Sequence, residues 1–217
     1  MVLIPKGTKR QFRLSIKIGK KAQKGHSTKM AMSSKSKRRL SRNDWLAIAM
    51  EVLSKGGEAE LRIDKLCRKL GVTKGSFYAH FKNRSDFVEQ FVAHWSKTST
   101  QSIISAIDKL KDEAAEARLL ALMRLLYQRR ITGLEIAVRA WATRDSTVAQ
   151  GVQATDKLRF EYIQRIFHDM GFRGRDLDLR TRLFVVYHGG ELSMRLPPSG
   201  LSREEELKLR HAFFCRK

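Results

Sequence analysis

From Trp45 onward, apolar residues recur at intervals of three and four, the repeat of a helix with one buried face. Trp45, Ile48, Ala49, Val52 and Leu53 form the first such stripe. Ser41-Arg42-Asn43-Asp44 stands before it with the spacing of a capping box, and Lys55-Gly56-Gly57 ends it. Ile63, Leu66, Cys67 and Leu70 form a second stripe, stopped by Gly71. Thr73 is then placed to N-cap a third, short helix running through Phe81, with Phe77 and Phe81 facing inward. Asn83-x-x-Asp86 opens a long fourth helix carrying Phe87, Val88, Phe91, Val92 and Trp95.

The period persists to the end of the chain. Ile103, Ile104, Ile107 and Leu110 continue an apolar face. Ala114 to Tyr127 is rich in strong helix formers, and Gly133 separates it from Leu134–Thr143. Asp145-Ser146 precedes a helix with Leu158, Tyr162, Ile166, Phe167 and Met170, ended by Gly171 and Gly174. A further helix is expected from Leu179 to about Leu196, with Gly189-Gly190 as a weak point. Pro197-Pro198-Ser199-Gly200 is a loop, and Ser202-x-x-Glu205 caps a last helix through Phe214. No stretch after residue 40 reads as strand, so the pattern predicts an all-α fold whose core comes from helix packing.

Residues 1–40 break this pattern. Glycines at 7, 19 and 25 interrupt them, and Lys24–Arg39 is polar and low in complexity. Only Phe12–Ile18 alternates with period two, as an edge strand would, and a lone strand without a partner is not stable. Two readings stay open: a disordered basic arm adding non-specific phosphate contacts, or a start placed too early, with Met30 or Met32 as the first residue. No apolar segment of a secretory signal is present.

Composition narrows the class. The chain has 217 residues, 42% of them hydrophobic, which excludes wholesale disorder, and no apolar run approaches a membrane span of roughly 18 residues. Two cysteines, Cys67 and Cys215, cannot make a disulfide framework, which fits a reducing compartment. The net charge of +22 points to polyanions, yet it is unevenly placed: +13 in residues 1–40, +3 in 41–87 and +6 in 88–217. The total charge is therefore weak evidence about the folded part.

Placement of residues says more. Two short helices joined by a turn containing Gly71 describe a helix-turn-helix, whose second helix enters the DNA major groove led by its N-terminal residues. Thr73, Lys74 and Ser76 stand there as hydrogen-bond donors, Gly75 leaves room for close backbone approach, and Tyr78 and His80 are within reach of phosphates. Arg84 begins the next helix, where a cation opposes the helix dipole, as a phosphate contact would explain.

The stretch from Leu61 to Phe87 resembles the DNA-binding domain of TetR-type (tetracycline-repressor-like) regulators. It carries Gly71-Val72-Thr73, Gly75, Tyr78, His80-Phe81, Arg84 and Phe87 in the family's register. It departs from the family at Arg62, where a Ser or Thr cap is usual, and at Arg84, where Lys is usual. The resemblance implies that Thr73, Lys74 and Ser76 face bases or nearby phosphates, that Tyr78, His80 and Arg84 touch the DNA backbone, and that Gly75 is structural. A looser match, Glu135–Asp145 followed by Asp156-Lys157-Leu158-Arg159, resembles the effector region of one TetR-type subgroup. The resemblance thus implies a DNA-binding domain over 41–87 behind the tail at 1–40. It implies a ligand-binding and dimerisation domain over 88–217, with the dimer made by roughly 176–196 and 203–214. Trp95, Tyr127 and Trp141 are candidate ligand-pocket walls, each alternatively an ordinary core aromatic, with Arg139 as a candidate polar anchor.

Catalytic and metal readings find no support in the sequence. His188-Gly189-Gly190 is like an oxyanion segment but lacks a Gly-x-Ser-x-Gly partner. The histidines and cysteines show no ligand spacing, and Cys67 on an apolar face is inert core. The expectation is a non-enzymatic, cytoplasmic, nucleoid-associated homodimeric repressor on a pseudo-palindromic operator, with no cofactor beyond a possible small-molecule effector. The alternative is a non-specific basic nucleic-acid or nucleoid protein acting through its tail.

Overall fold

The computed structural model describes residues 40–129, 132–191 and 197–217; the tail and the strand-like segment within it lie outside them. Among the described residues there are helices and no strands. Four helices come first: α1 (Arg42–Gly56), α2 (Ile63–Leu70), α3 (Lys74–Tyr78) and α4 (Arg84–Ser96). Six follow: α5 (Ser102–Ile107), α6 (Ala115–Arg129), α7 (Thr132–Ala142), α8 (Ser146–Asp169), α9 (Gly174–Gly190) and α10 (Arg203–Cys215). No described helix is long and apolar enough to cross a membrane.

Local chemistry sets most of the boundaries. Ser41 and Asp44 form the expected reciprocal box, with Asp44 N–H donating to Ser41 Oγ at 3.2 Å and Ser41 N–H donating to Asp44 Oδ2 at 2.8 Å. Asp145 accepts from the N–H groups of Thr147 and Val148 to start α8, and Ser202 with Glu205 boxes the start of α10. Gly71 adopts a left-handed φ of 63°, which lets the N–H groups of Gly71 and Val72 turn back onto Arg68 and Cys67 and close α2. The fourth start differs from expectation. Asn83 caps Asp86 N–H, but Asp86 returns its carboxylate to Lys82 N–H rather than to Asn83, so the box is shifted by one residue.

Several elements depart from the pattern. Helix α3 ends at Tyr78, and a turn that returns Phe81 N–H to the Phe77 carbonyl carries the chain on. A 3₁₀ turn at Glu58–Leu61 fills the α1–α2 link. Between α4 and α5 the helix widens into a π turn, Lys97–Gln101. Thr98, Ser99 and Ser102 hydroxyls donate there to the carbonyls of His94, Trp95 and Thr98, competing with the i→i−4 ladder. Helix α7 starts ahead of Gly133, and that glycine sits against the Ser54 carbonyl of α1, where a Cβ would be 3.4 Å away. Helix α9 begins at Gly174, and the expected reach to Leu196 extends beyond the described residues.

Two apolar clusters organise the packing. The first joins Trp45, Leu53, Leu61, Phe77, Phe81, Phe87 and Phe91 to Trp95, Val138, Trp141 and Val148, so it crosses residue 87 and draws α7 and the start of α8 onto α1–α4. The second, including Ile107, Leu119, Ile166, Phe167, Phe184 and Phe214, gathers α5, α6, the end of α8, α9 and α10. Helix α8 runs through both. It can lie close against α4 because residue 151 is glycine: a Cβ there would be 1.9 Å from Val92 Cγ1.

Candidate nucleic-acid interface and internal cavity

Helix α3 is held by its one inward residue. Phe77 is fully buried, with its ring centroid 5.6 Å from Trp45, 5.0 Å from Phe81 and 5.4 Å from Phe87. That anchorage turns the rest of the helix outward. Thr73, Lys74 and Gly75 are exposed, Ser76 and His80 are half-buried, and the Tyr78 ring is 53% exposed. Lys74, Tyr78 and Arg84 share a shallow cleft with Arg62, Ile63 and Asp64 at the start of α2.

Three details refine the expectations. Thr73 occupies the N-cap position but its hydroxyl makes no capping bond; its carbonyl accepts from Ser76 N–H. Arg84 reaches inward, its Nη1 3.3 Å from the Leu61 carbonyl and its Nη2 3.4 Å from Glu58 Oε1. Gly75 is not required by the fold. Its φ is not positive, and a Cβ would meet only Thr73 Oγ1 at 3.6 Å, an ordinary contact. Cys67 is buried as expected, burial pushes its thiol pKa up, and Sγ–H points to the Thr73 carbonyl at 3.7 Å.

The later helices enclose a cavity of about 430 Å³, within the range of ordinary small-molecule sites. Its wall is mainly apolar, with Ile103, Ile104, Leu122, Met123, Ile163 and Phe184 among the lining residues. Of the four residues expected there, Tyr127 and Arg139 line it. Trp95 and Trp141 do not: both are almost wholly buried in the first apolar cluster, Trp141 against Phe91 at 5.5 Å and Trp95 beneath the Arg159 guanidinium. A large aromatic side chain on a helix face that meets other helices is core before it is pocket wall.

The sequence pattern missed the cavity's main polar feature. Glu135 and Arg139 pair at i, i+4, Arg139 Nε donating to Glu135 Oε1 at 3.0 Å. Arg139 also forks onto Asp156 at 2.8 and 2.7 Å, and Arg159 forks onto Glu135 at 2.7 and 3.2 Å. Arg159 Nε donates to Thr100 Oγ1 of the π turn at 2.9 Å. The hydrogen bonds that Arg139 donates to Asp156 push its pKa up, against burial, so the guanidinium stays charged. Only the i, i+4 half of this network is visible in sequence; Glu135 and Arg159 are brought together by the packing of α7 on α8.

A second polar group lines the cavity from α9 and α10. Arg210 forks onto Glu191 at 3.0 and 2.6 Å and also pairs with Glu206, and His188 Nδ1 lies 2.9 Å from the Phe184 carbonyl. Burial is the largest influence on His188 and lowers its pKa below 6.5; Phe184 and Glu191 oppose this, and Arg210 adds to it. The neutral imidazole thus contributes stability that is present above the unfolded value of about 6.5 and lost as pH falls below it. His188→Gln is expected to reduce the loss of Tm between pH 7.5 and 5.5, measured by circular dichroism; an unchanged loss would remove His188 from the account. Among the described residues no group of three or more His, Cys, Asp or Glu is placed to hold a metal ion.

Residues 46–91 match the model of the bacterial regulatory proteins, tetR family. No curated protein matches the chain. Among solved structures, it is similar to a TetR transcriptional regulator from Legionella pneumophila, with 13% identity, 86% of this chain and 97% of that one covered, and a TM-score of 0.61. A transcriptional regulator from Rhodococcus sp. Rha1 gives 14% identity, coverage of 81% and 94%, and a TM-score of 0.63. AibR, solved in complex with isovaleryl coenzyme A and operator DNA, gives 15% identity, coverage of 79% and 96%, and a TM-score of 0.58.

Proposed function

We propose that this protein, whose residues 46–91 form a TetR-type DNA-binding domain within an all-helical regulator fold, is a ligand-responsive repressor. It binds a pseudo-palindromic operator as a homodimer in the bacterial cytoplasm. The observation that carries the reading is the α3 face: Lys74 and Tyr78 are exposed beside a glycine that the fold does not need, on a helix pinned from behind by Phe77. Base contacts from Lys74 or Ser76 would give sequence preference, and Tyr78, His80 and Arg84 would fix the helix on the backbone. Arg84 would exchange its long contacts to Leu61 and Glu58 for a phosphate.

The test separates binding from folding. Gly75→Ala is expected to leave Tm unchanged or slightly raised, since alanine favours helix, while operator affinity falls. Lys74→Ala is expected to cost at least tenfold, on the scale of about 1–3 kcal/mol per good base contact. Both are read by fluorescence anisotropy on DNA from upstream of the protein's own gene. Unchanged affinity in both variants would remove the α3 face from the reading.

Dimerisation is supported by apolar side chains left in solvent on two neighbouring helices. Leu179, Leu183 and Val186 follow i, i+4, i+7 on α9, with Val186 70% exposed; Leu209 and Phe213 follow i, i+4 on α10, with Phe213 65% exposed. Phe184 and Phe214 hold the two helices together at 5.1 Å. A monomer seldom leaves such a patch uncovered. Val186→Asp with Phe213→Asp is expected to yield a monomer by analytical ultracentrifugation and weaken operator binding severely; a dimer that persists would move the interface elsewhere.

Ligand response is supported by where the cavity's charged network attaches. Helix α7 packs on α1, α8 packs on α4, and the network joins α7, α8 and the π turn that extends α4. A ligand that favours one arrangement of these helices would shift the spacing of the two α3 helices in the dimer, and a wrong half-site separation weakens DNA binding. AibR, on a similar fold, is described in complex with isovaleryl coenzyme A and operator DNA, so one fold of this kind takes both kinds of ligand.

A further inference from the structure

The cavity's charges are paired among themselves. Three arginines reach its wall, and each holds a carboxylate with a two-pronged contact: Arg139 on Asp156, Arg159 on Glu135 and Arg210 on Glu191. The same contacts occupy the three carboxylates of the wall. Among the described lining residues, then, no arginine is free for an anionic ligand and no carboxylate is free for a cationic one. A charged ligand would have to displace a built-in partner or lie in an apolar cavity unpaired, and both are costly.

One polar group is differently placed. His188 lies on the wall with its ring stacked on Phe184 at 4.1 Å, and its Nδ1 faces the Phe184 carbonyl at 2.9 Å. A carbonyl only accepts, so Nδ1 carries the proton and donates. In the neutral ring that leaves Nε2 as an acceptor with no proton. The lowered pKa of His188 keeps the ring in this form at neutral pH.

We infer that the ligand of this cavity is an uncharged, mainly apolar molecule with one hydroxyl that donates to His188 Nε2. The inference rests on the ligand-responsive reading above and narrows it to one chemical class. The apolar wall takes the body of the molecule, the paired arginines exclude acids and the paired carboxylates exclude amines.

Four probes of one size test it by isothermal titration calorimetry on the full-length protein: 4-hexylphenol, 4-hexylanisole, 4-hexylbenzoate and 4-hexylbenzylammonium. The phenol is expected to bind at least about tenfold tighter than the benzoate and the ammonium, and roughly fivefold tighter than the anisole, which cannot donate. In His188→Leu the phenol should fall to the anisole's affinity while the anisole is unchanged. The inference is overturned if either charged probe matches the phenol, if phenol and anisole bind alike to the native protein, or if no probe binds. The comparison within the native protein decides the matter should the variant not fold. DNA preference, measured on the same preparation without any probe, is a separate readout. Sequence-preferring DNA binding with benzoate favoured sinks this inference alone, and phenol selectivity without DNA preference sinks the regulator reading alone.

Discussion

Glu135→Ala is expected to destabilise the protein by about 3 kcal/mol, read as a shift in urea midpoint with unchanged slope. Glu135 is the acceptor shared by Arg139 and Arg159, and its side chain is only 9% exposed. Removing one partner of a fully buried pair costs about 3–5 kcal/mol because the remaining charge is left unpaired. The lower end applies here, since Arg159 retains 24% of its exposure and Arg139 keeps its fork to Asp156. Glu135→Gln keeps the shape and one acceptor and should cost about half as much. If the alanine variant loses less than about 1 kcal/mol, the network is surface decoration and not a strut between α7 and α8.

Gly151→Ala is the second large effect. A Cβ at that position would lie 1.9 Å from Val92 Cγ1 and 3.2 Å from Val92 Cβ. Valine is short and stiff at χ1, so the methyl cannot swing away and α8 must move off α4. Overpacking of this kind costs about 1–3 kcal/mol, and the upper end is expected because the atoms struck belong to a stiff side chain pinned between two helices. Val92→Ala in the same chain should restore most of the loss, since it removes the methyl that is struck. Thermal denaturation of the single and double variants checks this; additive losses would mean that the close approach of α4 and α8 does not depend on residue 151.

These two sites also show what the chain's sequence reveals and where it stops. The caps at Ser41, Asp145 and Ser202 and the stop at Gly71 are local events, settled within a few residues, and they stand out in the pattern. The α3 face is visible for the same reason, because Phe77 marks the buried side and everything else on so short a helix must face outward. The cavity is different. Arg139 is apparent as an i, i+4 partner of Glu135, but Arg159 meets Glu135 across 24 residues of chain, and nothing in the spacing announces it. Trp95 and Trp141 have the composition of pocket walls and the burial of core, a choice settled only by which helix lies opposite. His188 reads in sequence as a stray hydrolase-like fragment; its fixed tautomer appears only once the Phe184 carbonyl is seen beneath it. The π turn at Lys97–Gln101 follows from a run of hydroxyl residues that period counting treats as plain helix surface. The basic tail, which holds +13 of the net charge of +22, lies outside the described residues, so the charge that first suggests nucleic acid is not the part that the fold explains.

That division sets the decisive measurement, which is DNA binding by a chain lacking residues 1–32, compared on upstream DNA and on a scrambled fragment at physiological salt. The account predicts that the shortened protein keeps a preference of at least about a thousandfold for one pseudo-palindromic site, with weaker overall affinity and a shallower salt dependence than the full chain. Equal binding to both fragments, or a preference that disappears with the tail, would contradict the account and leave a charge-driven nucleic-acid binder in its place.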